Sequence, residues 1–285
     1  MIPEFIDTHH HLWDLENNPY PWLTEPIDHF VGDYSAIRKS WLISDLHAGA
    51  KNVPLLKSVH VQAEWDHNLD PVGETTWLQS VADDPRSRGM PNAIIGFADL
   101  YDPDVEAILE RHAAHANWRG IRHMLNWSDD NVSFRFAESG ELMSDPQWRK
   151  GFELIGKFSG SFDLQVWPWQ LEEAARLGNE IPEVPIILNH TAMPIGRSPG
   201  ELREWRKGLE SLGRAPNVSA KISALGMLDQ TWNAESIAPF VLDTIDILGV
   251  DRCMFASNFP VDSLFSDYET VWNAYDEITY DFTDS

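Results

Sequence analysis

Apolar residues recur along this chain in short runs, separated by longer stretches with a different rhythm. The runs are Phe5-Ile6, Ser58 to Val61, Ala93 to Phe97, Gly120 to Arg122, Phe162 to Val166, Val184 to Leu188, Val218 to Ile222 and Arg252 to Ala256. Each is short and flanked by polar or aromatic clusters, the signature of a buried strand. Between them, VEAILERHAAHA (105–116), DPQWRKGFELIGKF (145–158), PGELREWRKGLESL (199–212) and IAPFVLDTIDILG (237–249) carry helical spacing. Ser198-Pro199 gives one helix a cap followed by a first-turn proline, and Gly249 is placed to end another. Eight strands alternating with helices predict an α/β fold with a parallel sheet. Eight is also the number that closes a (β/α)8 TIM barrel, although counting alone leaves an open doubly wound sheet in play. In a barrel, chemistry belongs at the C-terminal ends of the strands.

Those ends are polar. The first run leads into Asp7-Thr8-His9-His10-His11; alternation along a strand puts His9 and His11 on one face with Asp7, and His10 opposite. Two imidazoles so spaced can ligate one ion or hold one substrate group. The second run continues through His60, Gln62 and Glu64, which alternation places together. Later ends supply Arg122-His123, Gln165-Val166-Trp167, Asn189-His190, Lys221-Ile222-Ser223 and Ser257-Asn258. Taken singly, Gln165, Lys221 and Ser257 read as satisfied polar residues at loop starts. Their recurrence at successive strand ends predicts convergence on one mouth. Trp13 and Trp167 follow strand ends and are candidate pocket walls, while most of the 13 tryptophans are expected in the core or at subunit contacts.

Composition narrows the partners. Against 21 Lys and Arg stand 45 Asp and Glu, a formal net charge of −24 that repels nucleic-acid phosphates. This does not fix the charge of a small substrate, because a local pocket can oppose the global field. No apolar run approaches the roughly 18 residues of a spanning helix. The start, MIPEFIDTHHHLWD, lacks the basic, apolar and cleavage regions of a secretory signal. A cytoplasmic protein acting on a small molecule is expected, without nucleic-acid or membrane partners, and with a homo-oligomer left open. The lone cysteine, Cys253, excludes an intramolecular disulfide and a Cys-rich metal site, and is expected in a buried strand.

The segments FIDTHHHLWD (5–14), SVHVQAEWD (58–66), DPVGETTWLQSVAD (70–83), GIRHML (120–125), FDLQVWPWQL (162–171), IILNHTAMP (186–194), VSAKISALGM (218–227) and RCMFASNFPVD (252–262) carry a further signal. Together and in this order they resemble the amidohydrolase-related family of the amidohydrolase superfamily, in the branch of pyrone-dicarboxylate lactonases, sulfomuconolactonases and sugar-acid lactonases. The resemblance covers nearly the whole chain. It implies a single distorted barrel domain over residues 1–285 and a cyclic, carboxylated small-molecule substrate. The implied reaction is lactone hydrolysis, by water attack on a carbonyl polarised by a histidine cluster or a divalent metal. A metal-dependent decarboxylase or lactone isomerase is the alternative, and a binding protein that has lost turnover is a third reading.

The resemblance also implies roles. His9, His11 and His190 would act at the carbonyl, either as ligands of one zinc (or manganese) ion or directly, in a metal-independent site. Gln62, Glu64, Arg122, His123, Trp167, Ser223 and Asn258 would surround the substrate, with Arg122 taking a carboxylate. Many superfamily members carry aspartate at the end of strand eight. Asn258 stands there in this chain, and an amide cannot accept a proton at neutral pH. Asp262, four residues on, is the expected substitute as general base, with capping of the next helix as its structural alternative. The chain ends on ITYDFTDS, where relatives usually continue into a short final helix.

Overall fold

In the computed structural model, residues 2–25, 27 and 29–282 are described. The strands are β1 (Phe5–His10), β2 (Leu55–Val61), β3 (Ala93–Gly96), β4 (Trp118–Met124), β5 (Ser161–Gln165), β6 (Ile186–Leu188), β7 (Val218–Ile222) and β8 (Cys253–Phe255). They form one sheet in sequence order, every neighbouring pair parallel. One major helix follows each strand: α1 (Ile43–Gly49), α2 (Val72–Asp83), α3 (Val105–Ala113), α4 (Pro146–Lys157), α5 (Leu171–Glu180), α6 (Pro199–Gly213), α7 (Ala234–Leu248) and α8 (Tyr268–Ile278). Among the described residues, no helix is long and apolar enough to cross a membrane.

The ends of the sheet meet, which decides between barrel and open sheet. Asn258 donates its backbone N–H to the His9 carbonyl at 2.8 Å, and His11 donates to the Phe259 carbonyl at 2.7 Å. The Thr8 hydroxyl donates to the Phe255 carbonyl at 2.8 Å. Buried Asp7 locks the seam by accepting from Ser257 N (3.0 Å), Ser257 Oγ (2.6 Å) and the Tyr268 hydroxyl (2.9 Å). One carboxylate thereby ties β1 to the end of β8 and to α8. Burial pushes the Asp7 pKa up, against the pull of those hydrogen bonds.

Local sequence explains the helices. α4 starts because Asp145 accepts from Gln147 N and Trp148 N, with Pro146 in its first turn. Its buried stripe is Trp148, Phe152 and Ile155, spaced to lie on one face. Phe152 meets Phe162 of β5 edge-on at 5.2 Å between ring centroids. Truncating a buried phenylalanine of this kind to alanine destabilises by about 3–5 kcal/mol. α6 begins at Ser198, as expected, and α7 ends before Gly249, which takes φ 87°. α7 starts earlier than its apolar pattern suggested, because Asn233 caps it by accepting from Ser236 N. Cys253 sits half-buried on β8.

Over the barrel mouth lies a second, smaller cluster of buried residues: Trp13, Tyr20, Leu23, Val31, Tyr34, Ile37 and Ala63. It belongs largely to the long β1–α1 connection. That loop is pinned where Trp13 and Trp41 exchange backbone hydrogen bonds of 3.0 and 2.9 Å. The α8 helix closes the described chain, and residues 283–285 of the ITYDFTDS segment lie outside the described residues.

Candidate active site

β1 runs through His10, so the histidine tract is held on the strand and its end rather than on a loop. The ring centroids of His9 and His190 lie 4.6 Å apart, and those of His9 and His11 4.9 Å. His11 Nδ1 is 2.7 Å from the Val61 carbonyl. A carbonyl only accepts, so Nδ1 carries the proton and Nε2 the lone pair. His190 Nδ1 meets Ser223 Oγ at 2.8 Å. Among the described residues, neither ring nitrogen of His9 has a hydrogen-bond partner, although the residue is fully buried. His10 points away, edge-on to His60 at 5.9 Å.

Two cations are buried beside these rings. Arg122 donates through Nη1 to Gln165 Oε1 at 3.3 Å and through Nη2 to the Gln62 carbonyl at 2.5 Å, while its buried Nε has no partner among the described residues. Lys221 pairs with buried Asp163, which also accepts from Asn189 Nδ2 at 2.9 Å. Burial pushes the pKa of all three site imidazoles well below the usual value. His190 and Lys221 add to the effect at His9, and Arg122 adds to it at His11 and His190. Near neutral pH the rings are therefore uncharged, and the fixed positive charge comes from Arg122 and Lys221.

A cavity of about 330 Å³ opens here. His11, Glu64, Arg122, Gln165, His190 and Asn258 line its polar, strand-end side. Glu64 sits beyond the end of β2 with φ 60°, and its Oε1 accepts from Gln62 Nε2 at 2.5 Å. The strand had ended at Val61, so it is this turn, not continued alternation, that brings Glu64 beside Gln62. Left-handed backbone recurs at His190 to Met193, at Ala224 and at Asn258, all past strand ends. For non-glycine residues each such conformation costs of order 1–3 kcal/mol, and such residues cluster at functional sites.

The other expected site residues stand one layer back. His9 lies behind His11 and His190; Ser223 supports His190; Gln62 supports both Arg122 and Glu64. His123 is half-buried, edge-on to Phe97 at 5.5 Å, and is not part of the cavity lining. Trp167 packs behind Phe30 and Phe136, at 5.9 and 5.7 Å, and donates to the Phe134 carbonyl. Trp13 does line the cavity, and so does Gln165. Lys221 and Ser257 are satisfied by Asp163 and Asp7, as their single reading suggested.

Asp262 is fully enclosed and accepts from Asn258 Nδ2 at 2.6 Å, so it stands behind Asn258 and outside the cavity lining. Burial pushes its pKa up to about 7. It does not cap the next long helix. Asp267 does, by accepting from Thr270 N at 2.8 Å, because a short 3-10 turn at Val261–Leu264 intervenes. The sequence reading missed Trp22, His29, Phe30, Arg135 and Phe136, which reach the cavity from the loops after β1 and β4. Their signal was only the length of those loops at the catalytic end of a barrel.

Whether three histidines would hold zinc or manganese is a question of geometry and charge. Among the described residues, no group of three or more His, Cys, Asp or Glu side chains is disposed to hold an ion. The charged groups beside the rings are Arg122, Glu64 and the Lys221–Asp163 pair, and the strand-eight position carries a neutral amide. The imidazoles come together as expected, but this arrangement does not fit a divalent cation. It fits an anionic or carbonyl oxygen.

A barrel with its polar groups gathered at the C-terminal strand ends defines the class, and comparison with known proteins specifies it. Residues 6–285 match the sequence profile described as Amidohydrolase, and the chain belongs to that family. It is 47% identical over 279 residues to the uncharacterized protein y4mH of Sinorhizobium fredii, covering 98% of this chain and 92% of that one. It is 24% identical to the L-fucono-1,5-lactonase of Burkholderia ambifaria, covering 95% and 86%. An amidohydrolase from Burkholderia multivorans, solved with bound HEPES, superposes with a TM-score of 0.80 at 23% identity, covering 99% of this chain and 94% of that one. A second structure of an amidohydrolase from the same organism, with bound zinc, gives a TM-score of 0.79 at 22% identity with the same coverages.

Proposed function

We propose that this protein hydrolyses a small carboxylated lactone to its hydroxy acid. The observation that carries the reading is the buried Arg122 set beside the uncharged imidazoles of His11 and His190 on one cavity, with Glu64 as a carboxylate lining it. The lactonase relatives are consistent with this choice within the family.

The chemistry needs a place for negative charge and a base. Arg122 has three N–H groups beyond the two bonded to Gln165 and the Gln62 carbonyl, and these would bind the substrate carboxylate. With the Ser223 hydroxyl donating to His190 Nδ1, the His190 proton sits on Nε2. From there it can donate to the oxygen that becomes negative as water adds to the carbonyl. Glu64 takes the proton of that water, because it lines the cavity and Asp262 does not. The tetrahedral centre then collapses, the ring C–O bond breaks, and the leaving oxygen recovers a proton from Glu64. Asp262 acts one step removed, orienting the Asn258 amide. Nothing in this sequence is routed through a metal.

The test is a panel of lactones, aromatic carboxylic acids and isomerisable lactones, followed by acid release and carbon dioxide evolution. Acid release from a carboxylated lactone supports the proposal; carbon dioxide, or turnover without either product, overturns it. Exhaustive chelation, with metal content measured before and after, is expected to leave the rate within about twofold. A loss restored by zinc would overturn the metal-independent mechanism.

A further inference from the structure

The strand-end residues furnish one side of the cavity; segments after β1, β4 and β7 furnish most of the rest, and their chemistry is different. Trp22, Phe30, Val31, Ile37, Phe136 and Met227 form this wall. The ring N–H groups of the tryptophans here are already engaged. Trp22 Nε1 donates to the Ala63 carbonyl at 2.9 Å, and Trp13 Nε1 to the Lys39 carbonyl at 2.7 Å. The Tyr34 hydroxyl behind them donates to the Trp22 carbonyl at 3.0 Å. The polar residues on this side are His29, Ser133 and Arg135, and Arg135 directs Nε and Nη2 to the carbonyls of Ser128 and Asp129 at 2.6 Å each. His29 lies in a site dry enough to bring its pKa down to about 4.

From this division we infer that the substrate is amphipathic, a lactone with one anionic group and a hydrocarbon body, alkyl or aryl, rather than a polyhydroxylated sugar lactone. The inference rests on the lactonase reading for its chemistry, but the wall speaks to the class of ligand independently. A ring carrying several hydroxyls would give up hydrogen bonds to water and find aromatic and aliphatic carbon in return. Each unpaired polar group weighs against binding. An apolar pocket discriminates against one added hydroxyl by about 100-fold, so several together make the preference steep.

The experiment compares a δ-lactone bearing one carboxylate and an alkyl or phenyl substituent with aldonolactones of similar size. kcat/KM is measured for each, and calorimetry follows binding of the corresponding ring-opened acids. The expected result is at least about 100-fold higher kcat/KM for the substituted lactone, and tighter binding of its acid. Equal or better turnover of the aldonolactones overturns the inference and leaves the lactonase reading standing. No turnover of either lactone, with the hydrocarbon acid still bound more tightly than the sugar acid, overturns the lactonase reading and supports the substrate class. Equal or absent binding of both acids without turnover overturns the inference as well. Phe136→Ser is expected to narrow the preference about tenfold; an unchanged ratio, with folding verified by circular dichroism, counts against the wall as its source.

Discussion

Arg122 supports the proposed reaction through shape as much as charge. Lysine would keep the positive charge but lose the planar array of donors that spans Gln165, the Gln62 carbonyl and a carboxylate at once. Arg122→Lys is expected to lower kcat/KM for carboxylated lactones by about 100-fold and for neutral ones by less than about tenfold. Equal losses would make Arg122 a structural residue. The two acids separate in the same assay. Glu64→Gln should reduce kcat by roughly 10²–10⁴-fold, the range for general-base catalysis, whereas Asp262→Asn should cost about tenfold or less. A reversal of that order would return the base to Asp262. That residue's carboxyl could be found in the sequence, but its location could not. The left-handed backbone at Asn258 and the short turn after it decide which side of β8 Asp262 faces, and no alternation rule reaches past a strand end.

Elements differed in how openly the sequence announced them. Strands and helices were legible from their periods, because burial on one or two faces imposes those periods directly. The histidines at strand ends were legible for the same reason. The β1–α1 connection was not. Its aromatic residues have no regular spacing, and their packing over the mouth depends on anchors far away in sequence. One such anchor is Glu74 on α2. Its Oε1 accepts from the Tyr20 hydroxyl at 3.1 Å and from Ala63 N at 3.0 Å, joining the cover to the turn that carries Gln62 and Glu64. Tyr20→Phe is expected to destabilise the fold by about 1–2 kcal/mol in urea denaturation, since the buried carboxylate loses a donor. KM should rise more than kcat falls, because the wall loosens while the strand ends stay in place. A fall in kcat at constant KM would instead place Tyr20 in the chemistry.

The whole molecule combines two opposing sets of buried titrating groups. His60, His112 and His123 have pKa values brought down to about 3, 4 and 4 by burial, and His9, His10, His11 and His190 are likewise held well below normal. Below pH 6.5 the unfolded chain takes up protons that these folded rings refuse, so stability falls as pH drops toward their folded values. At pH 5 each contributes up to about 2 kcal/mol of destabilisation. Glu74 and Asp262, both raised to about 7, act oppositely. The folded state keeps their protons while the unfolded state has lost them, so their burial becomes less costly as pH falls from about 7 toward 4.5. Seven imidazoles outweigh these two carboxyls together with Asp7, whose pKa burial also raises. The melting temperature is expected to fall by more than about 10 °C between pH 7 and pH 5, followed by circular dichroism. A flat or rising profile would mean that several of these histidines are charged in the native protein.

The seam at Asp7 also sets a timetable. Its partners Ser257 and Tyr268 are 250 and 261 positions away in sequence, and the barrel closes only when both have been made. His9 and His11 leave the ribosome long before Asn258, which completes their side of the cavity. A nascent chain carries the histidines without a site to put them in until β8 and the turn after it have been made. Contacts of such long range also form late in folding, after the entropy of closing the chain has been met. Activity in this protein should therefore emerge in one step at the end of folding, and its first appearance is a direct readout of barrel closure.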